Sequence, residues 1–485
     1  MPADRSSAIS GNYAYPQTSS ARIKFRRAIT LALMTLIVPG SAQLAVGNKR
    51  IGRIAIRIWL GLIAVALLGV FLAFASRSTI LDLVTNTFLM SLARWTLIGL
   101  AIFWVYLLID AWRLGAPREL SRGHRIFMTG FNSVLCLVCA GALLFSAHVL
   151  AVQQGFIGTV FASEKTSSSE SGRYNVLLLG GDSGKGRNGL RPDSLTVASI
   201  DEQTGRTVLI GLPRNLAKVP FPEGTPMAKA FPEGFNCAGC YLNGVNTWAN
   251  DHKTLFASDA SEASGVPGLE VTKEAVGEVT GLKINYYAMV NLKGFKSLVD
   301  AVGGVKINVK DRIAIGGIGS PIYGYIEPGT QVLNGKEALW YSRSRVQSND
   351  YARMGRQKCM MSAMLHQLSP TKVLFNVNSI AKSGKELLST DIPKGDLSTF
   401  LDLSLKARNT KVSTVSITPP TINTGNPNYD KIRRMITKAI DAAEGRKANG
   451  FITTTLPKIA GPAQAYDPQV EAKKANETTD LESVC

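Results

Sequence analysis

The residues best suited to chemistry form two charged clusters, and the first follows an apolar run directly. It reads Gly180-Gly181-Asp182-Ser183-Gly184-Lys185-Gly186-Arg187, then Arg191-Pro192-Asp193-Ser194. In a glycine-rich turn, backbone N–H groups can approach phosphate oxygens, and carboxylates such as Asp182 and Asp193 can hold Mg²⁺. The Gly-Lys-Ser/Thr ending of a Walker loop is missing. The cluster therefore indicates either a phosphate and magnesium site or a solvated hairpin turn, which Gly and Asp also favour.

The second cluster is rich in arginine. It reads Tyr341-Ser342-Arg343-Ser344-Arg345, then Asp350-Tyr351-Ala352-Arg353-Met354-Gly355-Arg356-Gln357. If residues 341–345 are extended, Arg343 and Arg345 point to one face, because side chains alternate along a strand. In the helix that follows, Arg353 and Gln357 are four residues apart and share a face. Because guanidinium groups bind phosphates bidentately, this set predicts a pyrophosphate clamp; solvated surface arginines are the alternative.

The segments around these clusters predict an α/β domain at 174–443. β-Branched apolar runs predict strands at Tyr174–Leu179, Leu195–Ile200, Thr207–Leu212, Val305–Val309 and Lys411–Ile417. Helical patterns, two of them closed by glycine, predict helices at Val271–Thr280, Leu292–Val302, Asp350 to about Leu368, about 394–407 and about 428–443. A Ser/Gly-rich linker at 153–173 precedes the domain, and a polar tail at 444–485 is predicted to be disordered.

The N-terminal third is apolar and basic. Residues 1–152 contain 15 Lys and Arg against 4 Asp and Glu, so they carry +11 of the chain's net charge of +19. Such a charge suits an anionic partner: lipid head groups, phosphates or nucleic acid. Behind a basic cytoplasmic N-terminus at 1–27, a membrane module at 28–152 contains the apolar stretches 28–46, 54–75, 88–109 and 127–150. The last three are long enough to cross a bilayer, which needs roughly 20 residues.

The first apolar stretch is predicted to be a re-entrant hairpin. Pro39-Gly40 breaks a helix at its centre. Both flanks are basic, through Arg22, Lys24, Arg26 and Arg27 before it and Lys49, Arg50, Arg53 and Arg57 after it. Since positive charge marks the cytoplasmic side, both flanks are expected inside, and the three spans then place everything after residue 152 outside the cytoplasmic membrane. A four-span arrangement with the N-terminus outside is the alternative.

Several segments resemble, in order, the motifs of the LytR-CpsA-Psr family. They are Asn175-Val-Leu-Leu-Leu-Gly-Gly-Asp182, Arg191-Pro-Asp193-Ser, Leu212-Pro-Arg214-Asn215, Val299-Asp-Ala-Val-Gly-Gly-Val305, Leu333-Asn-Gly-Lys-Glu-Ala-Leu-Trp-Tyr341-Ser-Arg343-Ser-Arg345, and Asp350 through Gln357. The resemblance is strong over about 174–370 and weaker to about 443. The membrane module, with Val-Pro-Gly-Ser-Ala-Gln, is similar to that of actinobacterial members.

The resemblance implies an αβα fold around a mixed central sheet, with a tunnel for a polyprenyl chain. It implies transfer of a glycopolymer from a polyprenyl-pyrophosphate carrier onto peptidoglycan, with Mg²⁺ at the pyrophosphate. By position, Asp182 and Asp193 match the metal-holding carboxylates, Arg191 the arginine beside them, and Arg214 the arginine of a Pro-Arg-Asp motif. The pyrophosphate-binding group is matched by Arg343, Arg345, Arg353 and Gln357, and the catalytic roles fall to Arg191, Arg214, Arg343 and Arg345.

The chain departs from the family pattern at two places. Asn215 stands where an aspartate is expected, which removes a charge beside Arg214. Many members have Lys-Ile-Asn where this chain has Tyr241-Leu242-Asn243, so a phosphate-contacting lysine is missing.

Three functions are compatible with parts of the sequence. In phosphotransfer the nucleophile is a hydroxyl of the acceptor, so no catalytic Ser, Cys or His is required, and His252 and His366 show no metal or triad spacing. A pyrophosphatase would use the same residues with water as nucleophile. A membrane-bound transcriptional attenuator is disfavoured, because the excess charge is mostly juxtamembrane and no helix-turn-helix pattern is visible, so no nucleic acid partner is expected. Arabinogalactan, teichoic acid and capsular polymers stay open as donors.

The six cysteines are too few for a disulfide scaffold. Outside the membrane, disulfides are permitted. Cys237 and Cys240 are expected to pair with each other, or one of them with Cys359, and a structural disulfide involving Cys240 is predicted. The two cysteines lack the further ligands that a zinc site needs. They also lack the strand and helix context of a redox-active Cys-x-x-Cys motif.

Overall fold

The computed structural model describes residues 21–161, 166–181, 192–256, 267–317, 319–346, 348–367, 388–446 and 485. The chain forms two compact units, residues 1–151 and 152–485.

The N-terminal unit is helical. Its α-helices are α1 (Ala21–Ile37), α2 (Ser41–Val46), α3 (Lys49–Ala75), α4 (Arg77–Thr85), α5 (Thr87–Leu114) and α6 (Arg122–Val160). Among the residues that the structure describes, three segments are long and apolar enough to cross a membrane: Lys49–Ala75, Thr87–Glu119 and Arg122–Val160. They cover the three predicted spans. α6 continues to Val160, so the first residues of the predicted linker 153–173 are helical.

The first apolar stretch is broken between α1 and α2, where Pro39-Gly40 predicts a break. Gly40 has a φ of 93°, and a Cβ there would lie 2.7 Å from the carbonyl oxygen of Gly52, so only glycine fits. The buried side chain of Gln43 on α2 donates from Nε2 to the carbonyl oxygen of Leu107 on α5 at 2.9 Å. This hydrogen bond holds the short helix against a candidate span.

A mixed sheet organises the second unit. Its strands are β1 (Arg173–Gly181), β2 (Pro192–Asp201), β3 (Thr207–Leu212), β4 (Tyr286–Asn291), β5 (Val305–Val309), β6 (Ile313–Gly316), β7 (Ile322–Ile326), β8 (Gly329–Leu333), β9 (Leu388–Thr390) and β10 (Val412–Ser416). The main sheet has the order β10-β3-β2-β1-β4-β9. β1 pairs antiparallel with β2 and parallel with β4, which confirms the prediction of a mixed sheet. β5 pairs with β8 and β6 with β7 in two small ribbons.

Helices cover both faces of the main sheet. They are α7 (Pro226–Ala230), α8 (Val245–Asp251), α9 (Pro267–Thr280), α10 (Leu292–Ala301), α11 (Gly335–Arg343), α12 (Asp350–Gln367), α13 (Leu397–Ala407) and α14 (Tyr429–Glu444). Because side chains alternate along β1, Leu177 packs into the core with α8, α9 and α14, whereas Leu178 faces the cluster that contains Met361 of α12. The unit is therefore an αβα sandwich, as predicted.

Two disulfides lie in this unit. Cys237 pairs with Cys240, which confirms the predicted disulfide involving Cys240. The alternative partner Cys359 is instead bonded to Cys485, so that alternative was wrong. The predicted disordered tail at 444–485 falls mostly on 447–484, which lies outside the described residues.

Candidate active site

Two sequence motifs meet at the ends of β2 and β3. Leu195 of β2 pairs with Leu212 of β3, and Asp193 and Arg214 each lie two residues beyond that pair on the same side. The register therefore brings the two side chains together, and Arg214 donates to Asp193 Oδ1 at 2.7 Å. Burial alone would lower the pKa of Arg214, but the hydrogen bond and charge of Asp193 outweigh burial and raise it. Arg214 is thus a fixed cation.

Asp350, the first residue of α12, forms ion pairs with three arginines. Arg353 contacts it at 3.1 Å, Arg214 Nε at 3.7 Å and Arg345 at 3.8 Å. Arg353 is only 5% exposed, and burial lowers its pKa while Asp350 opposes that effect. Sequence reasoning assigned Asp350 no role of its own at the site, although its spacing of three residues from Arg353 on one helix was a readable signal.

The end of α11 sets the position of Arg343. Helix α11 runs through Arg343, so the expectation that 341–345 is extended was wrong. Arg356 donates to the carbonyl oxygens of Tyr341 and Ser344, and it thereby satisfies groups that the end of a helix leaves open. The guanidinium of Arg343 lies 5.8 Å from the ring centre of Trp340.

Gln357 connects α12 to both charged motifs. Its Nε2 donates to the carbonyl oxygen of Ser342 at 3.1 Å, and its Oε1 accepts from the hydroxyl of Ser194 at 3.1 Å. Gln357 therefore ties the arginine-rich turn to the strand that carries Asp193.

An apolar cavity of about 270 Å³ opens beside these polar groups. Strands β1 and β4 form one wall, and α10, α11 and α12 form the other. The apolar lining includes Leu178, Ala288, Val290, Phe295, Leu298 and Met361. The polar end contains Asp193, Ser194, Arg343, Arg353 and Gln357. An apolar chamber with a cationic end matches a long apolar chain that carries a phosphorylated head.

Lys358 is a functional candidate that sequence reasoning missed. It is 1% exposed and lines a narrow space with Asp193, Ser194 and Gln357. Gly211 of β3 leaves room for it, because a Cβ there would lie 2.8 Å from Lys358 Cε. Burial lowers the pKa of Lys358 to about 7. The signal was present in the sequence, since Lys358 falls four residues after the buried Met354 on one helical face.

Two predicted site residues, Asp182 and Arg191, lie outside the described residues. Their chain neighbours Gly181 and Pro192 face each other at the end of the β1–β2 pair. The structure brings Asp193, Arg214, Arg345 and Arg353 together through Asp350, and it places Arg343 and Gln357 along the same cavity.

The two departures from the family pattern flank Arg214. Asn215 donates to Thr424 Oγ1 at 3.4 Å, so the carboxylates beside Arg214 come from Asp193 and Asp350 instead. Tyr241, at the position of the missing lysine, is 42% exposed. The next residue but one, Asn243, donates its backbone N–H to the carbonyl oxygen of Arg214 at 3.1 Å.

The donor set near Asp193 fits Mg²⁺ bound together with a phosphorylated ligand. Within the described ranges no group of three or more His, Cys, Asp and Glu side chains is suited to a metal ion. Mg²⁺ commonly binds through one or two carboxylates, waters and substrate phosphates, so it does not need such a cage. Asp193 is about one third exposed, accepts a hydrogen bond from Arg214 at its Oδ1, and lines the cavity.

The fold and the site define an αβα domain with an apolar chamber that ends in guanidinium groups. The chain belongs to the LytR_cpsA_psr family, whose model matches residues 157–443.

Named relatives cover about half of this chain. The polyisoprenyl-teichoic acid–peptidoglycan teichoic acid transferase TagU of Oceanobacillus iheyensis is 28% identical over 51% of this chain and 68% of its own length. The cell wall biosynthesis protein LcpA of Corynebacterium glutamicum is 27% identical over 52% of each chain. Among solved structures, Bacillus subtilis TagV matches with a TM-score of 0.40 at 22% identity, over 58% of this chain and all of its own. The chain thus spans about half to two thirds of the length of these curated relatives.

Proposed function

We propose that this protein transfers a glycopolymer from a polyprenyl-pyrophosphate carrier onto peptidoglycan. The observation that carries the proposal is the joining of an apolar cavity to a group of arginines centred on Asp350. A carrier lipid requires both parts: apolar walls for the chain and forked cations for the pyrophosphate. The name of TagU, a teichoic acid transferase that acts on peptidoglycan, supports this reaction class, and the name of LcpA supports a role in cell wall biosynthesis.

In the proposed reaction, a hydroxyl oxygen of the acceptor attacks the phosphorus that carries the glycan. A new P–O bond forms, the bond to the bridging oxygen breaks, and polyprenyl phosphate leaves; the proton of the hydroxyl passes to solvent. Arg343 and Arg345 bind the pyrophosphate and stabilise the charge on the departing phosphate. Arg214 and Arg353 are held by carboxylates, so they are already oriented when the donor arrives.

Asp193, with Asp182 beyond the described residues, would hold Mg²⁺ at the pyrophosphate. When bound, the ion neutralises charge on the phosphate oxygens. The hydrogen bond from Arg214 to Asp193 Oδ1 would orient the carboxylate before the ion binds.

We further propose that the candidate spans α3, α5 and α6 place this domain outside the cytoplasmic membrane in a multi-pass arrangement. The basic flanks at 22–27 and 49–57 and the basic loop between α5 and α6 support a cytoplasmic position for those segments. The partners are then membrane lipid, a lipid-linked glycan donor and the peptidoglycan acceptor, and no nucleic acid.

The test removes the proposed pyrophosphate ligands one at a time in the full chain. The assay supplies a prenyl-pyrophosphate-linked disaccharide and uncrosslinked peptidoglycan to the variants Arg343→Ala, Arg345→Ala and Arg345→Lys. The control is Arg434→Ala, which replaces an exposed arginine on α14. Loss of one such hydrogen-bond donor lowers the rate on the order of 10²–10³-fold. Lysine at position 345 is expected to restore only part of the lost rate, because its ammonium group cannot bind a phosphate bidentately as a guanidinium does.

Normal turnover in all three site variants would refute the clamp. Omission of peptidoglycan separates transfer from hydrolysis: prenyl phosphate release that does not depend on acceptor would identify a pyrophosphatase instead.

A further inference from the structure

A second concave surface is lined partly by residues that follow Arg214 in the chain. This cleft, of about 740 Å³, is bounded by residues 218–234 on one side and by Pro427 and Tyr429 on the other. Its floor contains the rings of Phe221, Phe231 and Tyr429 together with prolines, and exposed lysines stand at its rim. It shares no lining residue with the apolar cavity.

The wall at 218–234 is a fixed structure. Lys218 has a φ of 54°, a left-handed conformation that a residue with a side chain adopts only where its surroundings impose it. Its Nζ donates to Asn426 Oδ1 at 3.0 Å across the cleft edge. Gly234 has a φ of 82°, and a Cβ there would lie 2.6 Å from the carbonyl oxygen of Lys218. The disulfide between Cys237 and Cys240 closes the turn that follows.

Both walls of the cleft lead directly to the site. Only three residues separate Arg214 from Lys218, so the two Cα atoms are at most about 14 Å apart. The opposite wall continues from Thr424, whose hydroxyl lies 3.4 Å from the Tyr351 hydroxyl next to Asp350. The backbone N–H of Ala217 donates to the Thr424 carbonyl oxygen at 3.0 Å and joins the two walls. A short oligosaccharide in the cleft would reach Arg214.

We propose that this cleft binds the glycan strand of the acceptor. Sugar rings present apolar C–H faces that pack on aromatic and proline surfaces, while their hydroxyl and acetamido oxygens accept hydrogen bonds from groups such as Lys229. The floor and the rim supply both kinds of contact. This inference rests on the proposed transfer reaction, in which the acceptor hydroxyl must approach phosphorus from outside the lipid cavity.

The probe is a soluble tetrasaccharide of alternating N-acetylglucosamine and N-acetylmuramic acid, and its Kd is measured by calorimetry on the detergent-solubilised full chain without donor. Ala228→Trp fills the cleft from α7, and Lys229→Ala removes a rim donor. Each is expected to weaken binding roughly tenfold or more. Lys438→Ala, an exposed lysine on α14 outside the cleft, is the matched control and should bind normally.

Hydrogen exchange of the wild-type chain reports the cleft without any substitution. The tetrasaccharide is expected to protect amides within 218–234. The inference is overturned if the wild-type chain does not bind the probe, if protection falls elsewhere, or if the free stem peptide competes as well as the glycan. Because donor is absent, such a result leaves the transfer reaction standing, whereas failure of the wild-type chain to transfer the disaccharide to peptidoglycan would count against the reaction and not against binding of the probe.

Discussion

Replacing Lys358 by methionine should stabilise the domain, and the gain should depend on pH in a defined way. Burial lowers the folded-state pKa of Lys358 from 10.5 to about 7. Between these values the unfolded chain binds more protons than the folded chain, so wild-type stability rises with pH. The penalty is fully present below the folded pKa and disappears as pH rises through the unfolded pKa.

The size of the effect follows from the pKa difference, since each unit corresponds to about 1.4 kcal/mol. Holding Lys358 in the fold then costs about 4 kcal/mol at about pH 7.5 and about 1 kcal/mol at about pH 9.5. Methionine has a similar length and no charge, so Lys358→Met should raise the free energy of unfolding by up to these amounts.

The assay is denaturant unfolding of the full chain in detergent, followed by the fluorescence of tryptophans in the αβα domain, at both pH values. Lys438→Met on the exposed face of α14 is the control and should change stability by no more than about 0.5 kcal/mol. The reasoning fails if Lys358→Met unfolds more easily than wild type at about pH 7.5, or if its gain is the same at both pH values.

Three further predictions concern the metal, the cysteines and the topology. Asp193→Ala should abolish turnover at limiting Mg²⁺ while the melting temperature stays within a few degrees of wild type, because the side chain is partly exposed; near-normal turnover would exclude Asp193 as a ligand. Free-thiol counting on unreduced, denatured protein should find two thiols, those of Cys136 and Cys139, and a count of six would contradict both disulfides. In a cysteine-free background, a cysteine at Asn48 should resist an impermeant thiol reagent in intact cells and one at Ser168 should react; the reverse pattern would invert the topology.

Much of the fold was readable because local patterns agree with tertiary burial. Strands β1, β2 and β3 and helix α9 lie within a few residues of their predicted bounds, since their apolar runs end at turn residues or glycine. β4 was missed. Its sequence, Tyr-Tyr-Ala-Met-Val-Asn, is short, and it is a strand because it pairs with both β1 and β9.

At the candidate site, residue types were readable but their connections were not. The motifs identify Asp193, Arg214 and Arg345, yet nothing local shows that Asp350 lies between the arginines, because that depends on how α12 packs against the end of β3. The extended arrangement considered for 341–345 was wrong for a local reason. The capping box of Asn334 and Glu337 starts a helix that continues through Arg343.

The bond between Cys359 and Cys485 makes a covalent ring of the last quarter of the chain. A protease cut anywhere between these residues would open the polypeptide without releasing either piece, because the fragments stay joined through the two sulfurs. A nicked molecule would therefore migrate as an intact chain on a non-reducing gel and as two bands after reduction. The closed loop spans 126 residues, so the cross-link also limits the expansion of the unfolded chain by the equivalent of about 5 kcal/mol. Because Cys359 lies within α12, the cross-link also ties this helix, with its arginines and its part of the apolar cavity wall, covalently to Cys485.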